Sequence, residues 1–278
     1  MLATGAELAS LEERVRRALD GSNEDLPVLG HGEITLVLGC PAEDPRIVAK
    51  RLPPFVEFDR AESYGALVHE YVAALAQRGI DCVQSEFRVT RTDGGWAAYV
   101  LQPRLAPDQI GPAVLRRRQR DDTTGGAVRE LLDQIVAAIV AATDQRVGVD
   151  GQLSNWADTD EGLRYFDVTT PLLTAADGHS RLDLEALTSP LPVPLRPAVR
   201  RFAAPSIIAN YHSPRSVLVD LAANLHKERL AQWVGAVLVA SNAHLEQPIT
   251  FAEANDHYRR DARTWEMMLR LRMADRWV

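Results

Sequence analysis

The sequence lacks several features that would each assign it to a class of protein. Its two cysteines, Cys40 and Cys82, are too few and too far apart for a disulfide framework or a zinc site. The longest apolar stretch, Trp233 to Ala240, is much shorter than a membrane span. No Walker A motif is present, which excludes a P-loop enzyme as the main interpretation. The net charge of −7 argues against a general nucleic-acid binder, which would carry a basic face.

The composition is that of an ordinary globular protein. Of the 278 residues, 46% are hydrophobic and 25% are charged, so the chain can bury a large core as one large domain or two lobes. The N-terminal stretch is charged and amphipathic, without an apolar core of signal-peptide length. Together with the scarcity of cysteine, this predicts a soluble, cytoplasmic protein with reduced thiols and neither membrane nor nucleic-acid partners.

The predicted secondary structure changes character part-way along the chain. The first part combines two helices with strand-like segments and a hairpin around "TDGG": helices over 7–20 and 61–78, strands within 26–39 and 46–55, and the hairpin within 85–105. The later part is mainly helical, with long segments over 127–146, 216–245 and 250–273. Thr250 and Glu253 form a capping box at the start of the last segment. The fold class is therefore α+β, with a small sheet followed by a larger helical part.

Several short motifs follow one another in a fixed order. They are "LGHGEITLVL", "IVAK", "HEYVAALAQRGID", "YVLQPRL", "VDGQLSN" and "YFDVTTP". This series resembles the protein-kinase-like superfamily, especially its small-molecule branch of aminoglycoside- and choline-kinase-like phosphotransferases. The resemblance covers about Leu26 to Leu173, and the C-terminal hundred or so residues match only in being helical.

The resemblance implies a two-lobed fold. Residues 1–101 would form an N-terminal lobe, built from a small antiparallel sheet and one key helix, that binds the nucleotide. Residues 102–105 would be the hinge. Residues 106–278 would form a mainly helical lobe that carries the catalytic loop and the acceptor site.

The same resemblance assigns residues to ATP, the implied cosubstrate. Gly30 and Gly32 would lie in the loop that covers the phosphates, although Thr35 stands near the place of the family's third glycine. The hinge from Gln102 to Leu105 would offer backbone groups to adenine.

One lysine and one glutamate are predicted to act together. Lys50 ends the apolar run "IVA", where a buried charge needs a partner. By resemblance, Lys50 contacts the nucleotide phosphates and pairs with Glu70 on the following helix. Glu62 is a rival partner, and Glu70 is preferred because it stands nine residues before Gly79, as in the resembling enzymes.

Asp150, Asn155 and Asp167 are the remaining candidates. Phosphoryl transfer needs positioning and compensation of negative charge more than covalent work by the protein. By resemblance, Asp150 accepts the proton of the acceptor hydroxyl, and Asn155 and Asp167 hold Mg²⁺, which takes oxygen ligands. The implied activity is ATP- and Mg²⁺-dependent phosphorylation of a small-molecule hydroxyl.

Two departures from the family pattern keep other functions open. Gly148 and Val149 stand where the family commonly has a histidine before the aspartate, and Val168 and Thr169 follow Asp167 in place of "FG". A pseudokinase, which binds nucleotide or a partner without turnover, is therefore the alternative, and a protein kinase is a weaker third. The basic run at 116–120 is interpreted as a solvated face, or less readily as a site for an anionic acceptor. The sequence leaves the acceptor unidentified.

Overall fold

The computed structural model describes residues 2–22, 25–32, 34–188, 191 and 193–260. This part of the chain is α+β, with a small antiparallel sheet followed by a mainly helical region. The strands are β1 (Val28–His31), β2 (Leu36–Cys40), β3 (Ile47–Arg51), β4 (Glu86–Thr92), β5 (Gly95–Pro103), β6 (Trp156–Thr159) and β7 (Gly162–Tyr165). The helices are α1 (Gly5–Leu19), α2 (Phe58–Gln77), α3 (Gly111–Asp121), α4 (Gly126–Ala142), α5 (Leu184–Thr188), α6 (Arg196–Ala198), α7 (Ala204–Tyr211), α8 (Pro214–Lys227) and α9 (Val234–Asn242).

The larger sheet has the order β1-β2-β3-β5-β4, with antiparallel pairing throughout. The predicted hairpin is confirmed, since β4 and β5 pair across a turn in which Thr92 lies opposite Gly95. A second, two-stranded sheet pairs β6 with β7 and lies directly before Asp167 in the chain. None of the helices in the described ranges combines the length and the apolar character needed to cross a membrane.

One of the predicted helical segments is interrupted. The segment 216–245 was expected to continue as a helix, but α8 ends at Lys227 and α9 begins at Val234. Between them Arg229 has a φ of 57°, a left-handed conformation that ends a helix. The capping interaction is present, because the Glu253 amide donates to Thr250 Oγ1 over 3.2 Å. Residues 251–260 are helical, and the remainder of the predicted segment lies outside the described residues.

Both faces of the larger sheet are covered. Along β5, Ala97, Tyr99 and Leu101 pack in one cluster with α1, whereas Ala98 and Val100 pack in another with α2 and the helical region. This alternation follows from the period of two along a strand. All five side chains are fully buried, so β5 is a central strand with a core on each side.

A buried ion pair joins α1 to the sheet. Arg51 on β3 donates two hydrogen bonds to the Glu12 carboxylate, at 2.9 and 2.8 Å, and the Tyr99 hydroxyl donates a third. Burial raises the pKa of Glu12, but the hydrogen bonds from Arg51 and Tyr99 outweigh it and the net shift is downward. Stability from this site is therefore present above the ordinary carboxyl pKa and is lost as pH falls through the lowered folded pKa.

We expect Glu12→Gln to lower the free energy of unfolding at pH 7 by about 3–5 kcal/mol, because it leaves Arg51 buried without its countercharge. Urea unfolding followed by circular dichroism measures this. The matched control is Glu13→Gln on the same helix, whose partners Arg16 and Arg17 are at the surface, and it should lower the free energy of unfolding far less because water screens exposed ion pairs. Equal effects of the two variants would contradict this account.

Candidate active site

A cavity of about 360 Å³ lies between the larger sheet and the helical region. Its lining includes every site residue predicted from the sequence except Glu70: Gly30, Gly32, Lys50, Gln102, Leu105, Asp150, Asn155 and Asp167. These residues come from the β1–β2 hairpin, from β3, from β5 and the residues just after it, and from the segment between α4 and α5. The tertiary structure thus gathers into one cleft residues that span more than a hundred positions of sequence.

Lys50 is almost fully buried at the back of this cleft, with 7% of its surface exposed. Its Nζ donates a hydrogen bond of 2.8 Å to the Phe166 carbonyl and lies 3.7 Å from Asp167 Oδ1. The ammonium also lies 5.1 Å from the centre of the Phe166 ring. Burial lowers the pKa of Lys50, and the nearby Asp167 carboxylate partly opposes this shift.

The Gln102 side chain shares the same acceptor. Its Nε2 donates to the Phe166 carbonyl over 2.8 Å and to Ser85 Oγ over 3.0 Å. Gln102 is 2% exposed, so an unpaired amide here would carry the full cost of desolvation. Lys50 from β3 and Gln102 from β5 therefore hold the peptide that immediately precedes Asp167.

The loop that carries Asp150 is held from both ends. The Gly148 amide donates to the Leu172 carbonyl at 2.8 Å, and the Val149 amide donates to the Tyr211 carbonyl at 3.0 Å. Further on, the Leu153 amide donates to the Asn224 side chain at 3.1 Å. Because Val149 and Leu153 are fully buried, they anchor the loop and leave Asp150 between them at the cleft.

Glycines on either side of Asp150 permit this packing. A Cβ at Gly151 would lie 2.6 Å from Val217 Cγ1, so only glycine lets the loop approach α8 this closely. A Cβ at Gly148 would lie 3.1 Å from the His212 Nε2. The imidazole of His212, the residue that follows α7, therefore packs against the position of Gly148.

Asn155 and Asp167 are brought together through the backbone. The Phe166 amide donates to the Asn155 carbonyl over 3.0 Å, which fixes the two segments side by side. The Asn155 side-chain Nδ2 donates to the Asp150 carbonyl over 3.3 Å, so its amide oxygen is the atom left for a cation. Thr169 Oγ1 donates to Asp167 Oδ1 over 2.9 Å and orients that carboxylate.

Two tyrosines on the same face of α2, about two turns apart, connect that helix to both parts of the site. Tyr64 donates its hydroxyl to the Thr169 carbonyl, and Tyr71 donates to the Gly148 carbonyl, each over 2.8 Å. Both side chains are buried. These two hydrogen bonds therefore fix the position of α2 relative to the segments around Asp150 and Asp167.

The predicted ion pair between Lys50 and Glu70 is wrong. Glu70 is exposed and makes two hydrogen bonds with Arg181, one of them 2.8 Å long. The buried face of α2 is defined by residues such as Tyr64 and Tyr71, and successive residues are about 100° apart around a helix, so Glu70 lies off that buried face. The rival Glu62 is exposed as well.

The predicted hinge begins inside β5. Arg104 donates its amide to the Arg46 carbonyl over 3.0 Å, and the alternation of an antiparallel ladder then pairs the Gln102 backbone with Val48. The same alternation turns the Pro103 carbonyl away from β3, and Pro103 lines the cleft. Of the predicted hinge residues, Gln102 thus contributes its side chain to the site while its backbone bonds within the sheet.

A family model described as "Family of unknown function (DUF6206)" matches residues 10–276. The chain belongs to this family. No curated protein matches it. Among solved structures, one described as "WaaP in complex with acyl carrier protein" aligns over 83% of this chain and 95% of that chain, with a TM-score of 0.35 and 14% identity. A similarity this low does not establish a shared fold or activity.

Sequence reasoning missed the side chains that support the site of this DUF6206 protein. Tyr64, Tyr71 and His212 act through contacts with residues far away in sequence, and their types alone do not indicate such contacts. The basic run at 116–120 proves to be partly structural: Arg118 pairs with Asp158 at 2.9 Å, and Arg116 donates to the Glu228 carbonyl. The run is not part of the cleft lining.

We expect Lys50→Met to lower Mg-ATP affinity by roughly tenfold or more, because Lys50 supplies the only ammonium among the described residues that line the cleft. Glu70→Gln is the matched control and should change affinity by less than about threefold, since it breaks only an exposed ion pair. Isothermal titration calorimetry measures both. If Glu70→Gln lowered Mg-ATP affinity as much as Lys50→Met, that result would support the predicted Lys50–Glu70 ion pair instead.

Proposed function

We propose that this protein is an ATP- and Mg²⁺-dependent phosphotransferase with a two-lobed, kinase-like arrangement, acting on a hydroxyl of a small molecule. The observation that carries the proposal is the convergence of Lys50, Asp150, Asn155 and Asp167 on one cleft. The division into residues 1–101, a hinge at 102–105 and residues 106–278 belongs to the same proposal. Phosphoryl transfer is the chemistry for which a buried cation, a base and two oxygen ligands in one cleft are suited.

The nucleotide is assigned to the side of the cleft formed by the sheet. Val37 and Val48 offer an apolar surface to a base, and the Pro103 carbonyl offers an acceptor beside them. Gly30 and Gly32 lie in the hairpin over the same space, where a backbone without Cβ atoms can approach phosphates closely. Lys50 would keep its bond to the Phe166 carbonyl and donate to the phosphate oxygens with another N–H, since an ammonium has three donors.

The donor set fits Mg²⁺. The ion prefers oxygen ligands and usually keeps several waters, with one or two carboxylates and substrate phosphates completing its shell. Asp167 supplies a carboxylate and Asn155 an amide oxygen, and their segments are joined by the Phe166–Asn155 hydrogen bond. The described residues hold no cluster of three or more His, Cys, Asp or Glu side chains suited to a metal, so the phosphates are expected to complete the shell. Charge neutralisation on the transferred phosphoryl group is the chemistry that the ion would supply.

Asp150 is assigned the role of base. The acceptor oxygen attacks the γ-phosphorus, the bond from that phosphorus to its bridging oxygen breaks, and ADP leaves with the electron pair. The hydroxyl proton passes to the Asp150 carboxylate, whose Oδ1 accepts the Gln152 amide hydrogen at 3.2 Å and is oriented by it. The products are a phosphate monoester and ADP.

A nucleotide-binding module without turnover is the second candidate. The observation that favours it is the pairing of Glu70 with Arg181, which leaves Lys50 without a carboxylate from α2. Turnover of ATP by the wild-type protein separates the two candidates.

Mg-ATP should stabilise the folded protein. A ligand at a hundred times its dissociation constant adds about 2.7 kcal/mol, which a thermal-shift titration detects readily. ATP with excess chelator is the control and should stabilise less, because Asn155 and Asp167 then lack the ion that links them to the phosphates. Absence of any shift at millimolar Mg-ATP would count against both candidate functions.

Substitutions at the base and at the two oxygen ligands should fail differently. Asp150→Asn keeps its shape but loses the proton acceptor, so Mg-ATP binding should persist while turnover falls by about 10²–10⁴-fold. Asp167→Asn should also raise the Mg²⁺ concentration needed for half-maximal rate, and Asn155→Ala should do so more mildly because its amide is a neutral ligand. Steady-state kinetics over a range of Mg²⁺ measures these effects. Small and equal changes in all three would refute the catalytic assignment.

A further inference from the structure

One wall of the cleft is apolar. It is formed by side chains from the segment after Asp167, from α5 and its approach, and from α7: Leu172, Leu182, Leu187, Ile207, Ile208 and Tyr211. Leu172, Leu182 and Ile208 are almost fully buried, whereas Ile207 keeps 51% of its surface exposed. The wall therefore runs from the depth of the cleft to its mouth.

This wall adjoins Asp150 and lies apart from the glycine hairpin in the chain. Two residues of the wall, Leu172 and Tyr211, accept hydrogen bonds from the amides of Gly148 and Val149. The wall therefore lies beside the loop that carries Asp150. Val37, Val48 and Pro103, assigned to the nucleotide, come from the sheet. The apolar wall thus faces the place where an acceptor hydroxyl would meet its base.

The charges near this wall disfavour a cationic acceptor. Among the described residues that line the cleft, the only carboxylates are Asp150 and Asp167, and the proposed reaction uses both. A site for an amino sugar or a quaternary amine would need additional acidic groups or an aromatic cage.

We infer that the acceptor is a neutral alcohol whose hydroxyl-bearing carbon is attached to an apolar group of several carbons. The inference rests on the proposed function and names the substrate class of that site. Contact of the apolar group with the wall removes hydrocarbon surface from water and directs the hydroxyl toward Asp150. An acceptor of this class gains binding from the wall that a polar or charged alcohol cannot.

The test compares primary alcohols of matched length as phosphate acceptors with Mg-ATP: 4-phenyl-1-butanol, 4-amino-1-butanol and 1,4-butanediol. We expect kcat/KM for the phenyl alcohol to exceed the other two by roughly tenfold or more, the discrimination that a few apolar contacts provide. Ile207→Asp should remove that preference, since it places a charge at the mouth of the wall. Because Ile207 is half-exposed, we expect the Ile207→Asp variant to fold, and its melting temperature checks this.

Asn210→Asp is the matched control, because it adds the same charge to an exposed position of α7 that does not line the cleft. Both variants should keep the Mg-ATP thermal shift. Preference for the amino alcohol or the diol, or equal behaviour of the two variants, would overturn the inference and leave the phosphotransferase standing. Absence of both transfer and the Mg-ATP shift in the wild type would instead overturn the proposed function, and the acceptor assignment with it.

Discussion

The Phe166 carbonyl accepts hydrogen bonds from two buried side chains, Lys50 on β3 and Gln102 on β5, and the geometry of the cleft depends on this junction. Each donor would be costly to bury without a partner, and the ammonium more so than the amide. Because the shared acceptor belongs to the peptide before Asp167, satisfying these donors also sets the distance between the sheet and that carboxylate. The same need for pairing thus stabilises the fold and positions a candidate metal ligand.

The positions that depart from the kinase-like pattern are accommodated by local packing. Gly148 and Val149 stand where that pattern commonly has a histidine, and the His212 ring lies against the space that a side chain at 148 would need. Thr169 donates to Asp167, and Val168 is fully buried, so both substituted residues have a definite role. The substitutions therefore give no structural reason to regard the loop as collapsed.

The orientation of α2 is determined more by its buried hydroxyls than by its ion pairs. Arg60 pairs with Asp183, and Glu70 pairs with Arg181, at sites that are partly or largely open to solvent. Exposed pairs of this kind contribute little because water screens them. The hydroxyls of Tyr64 and Tyr71 are fully buried and would lose their partners entirely if the helix rotated. The position of Glu70 outside the cleft follows from that preference.

The sequence by itself determined the α+β class, the β4–β5 hairpin and the helices α1, α2 and α4, because these depend on periodicity and turn residues that act locally. It also indicated Lys50, Asp150, Asn155 and Asp167, through an ordered series of motifs. The partner of Lys50 was decided only by the tertiary structure, as was the support given by His212. The rotation of α2 depends on tyrosine contacts with residues 77 and 105 positions away, and no local pattern encodes which side of a helix such distant acceptors will occupy.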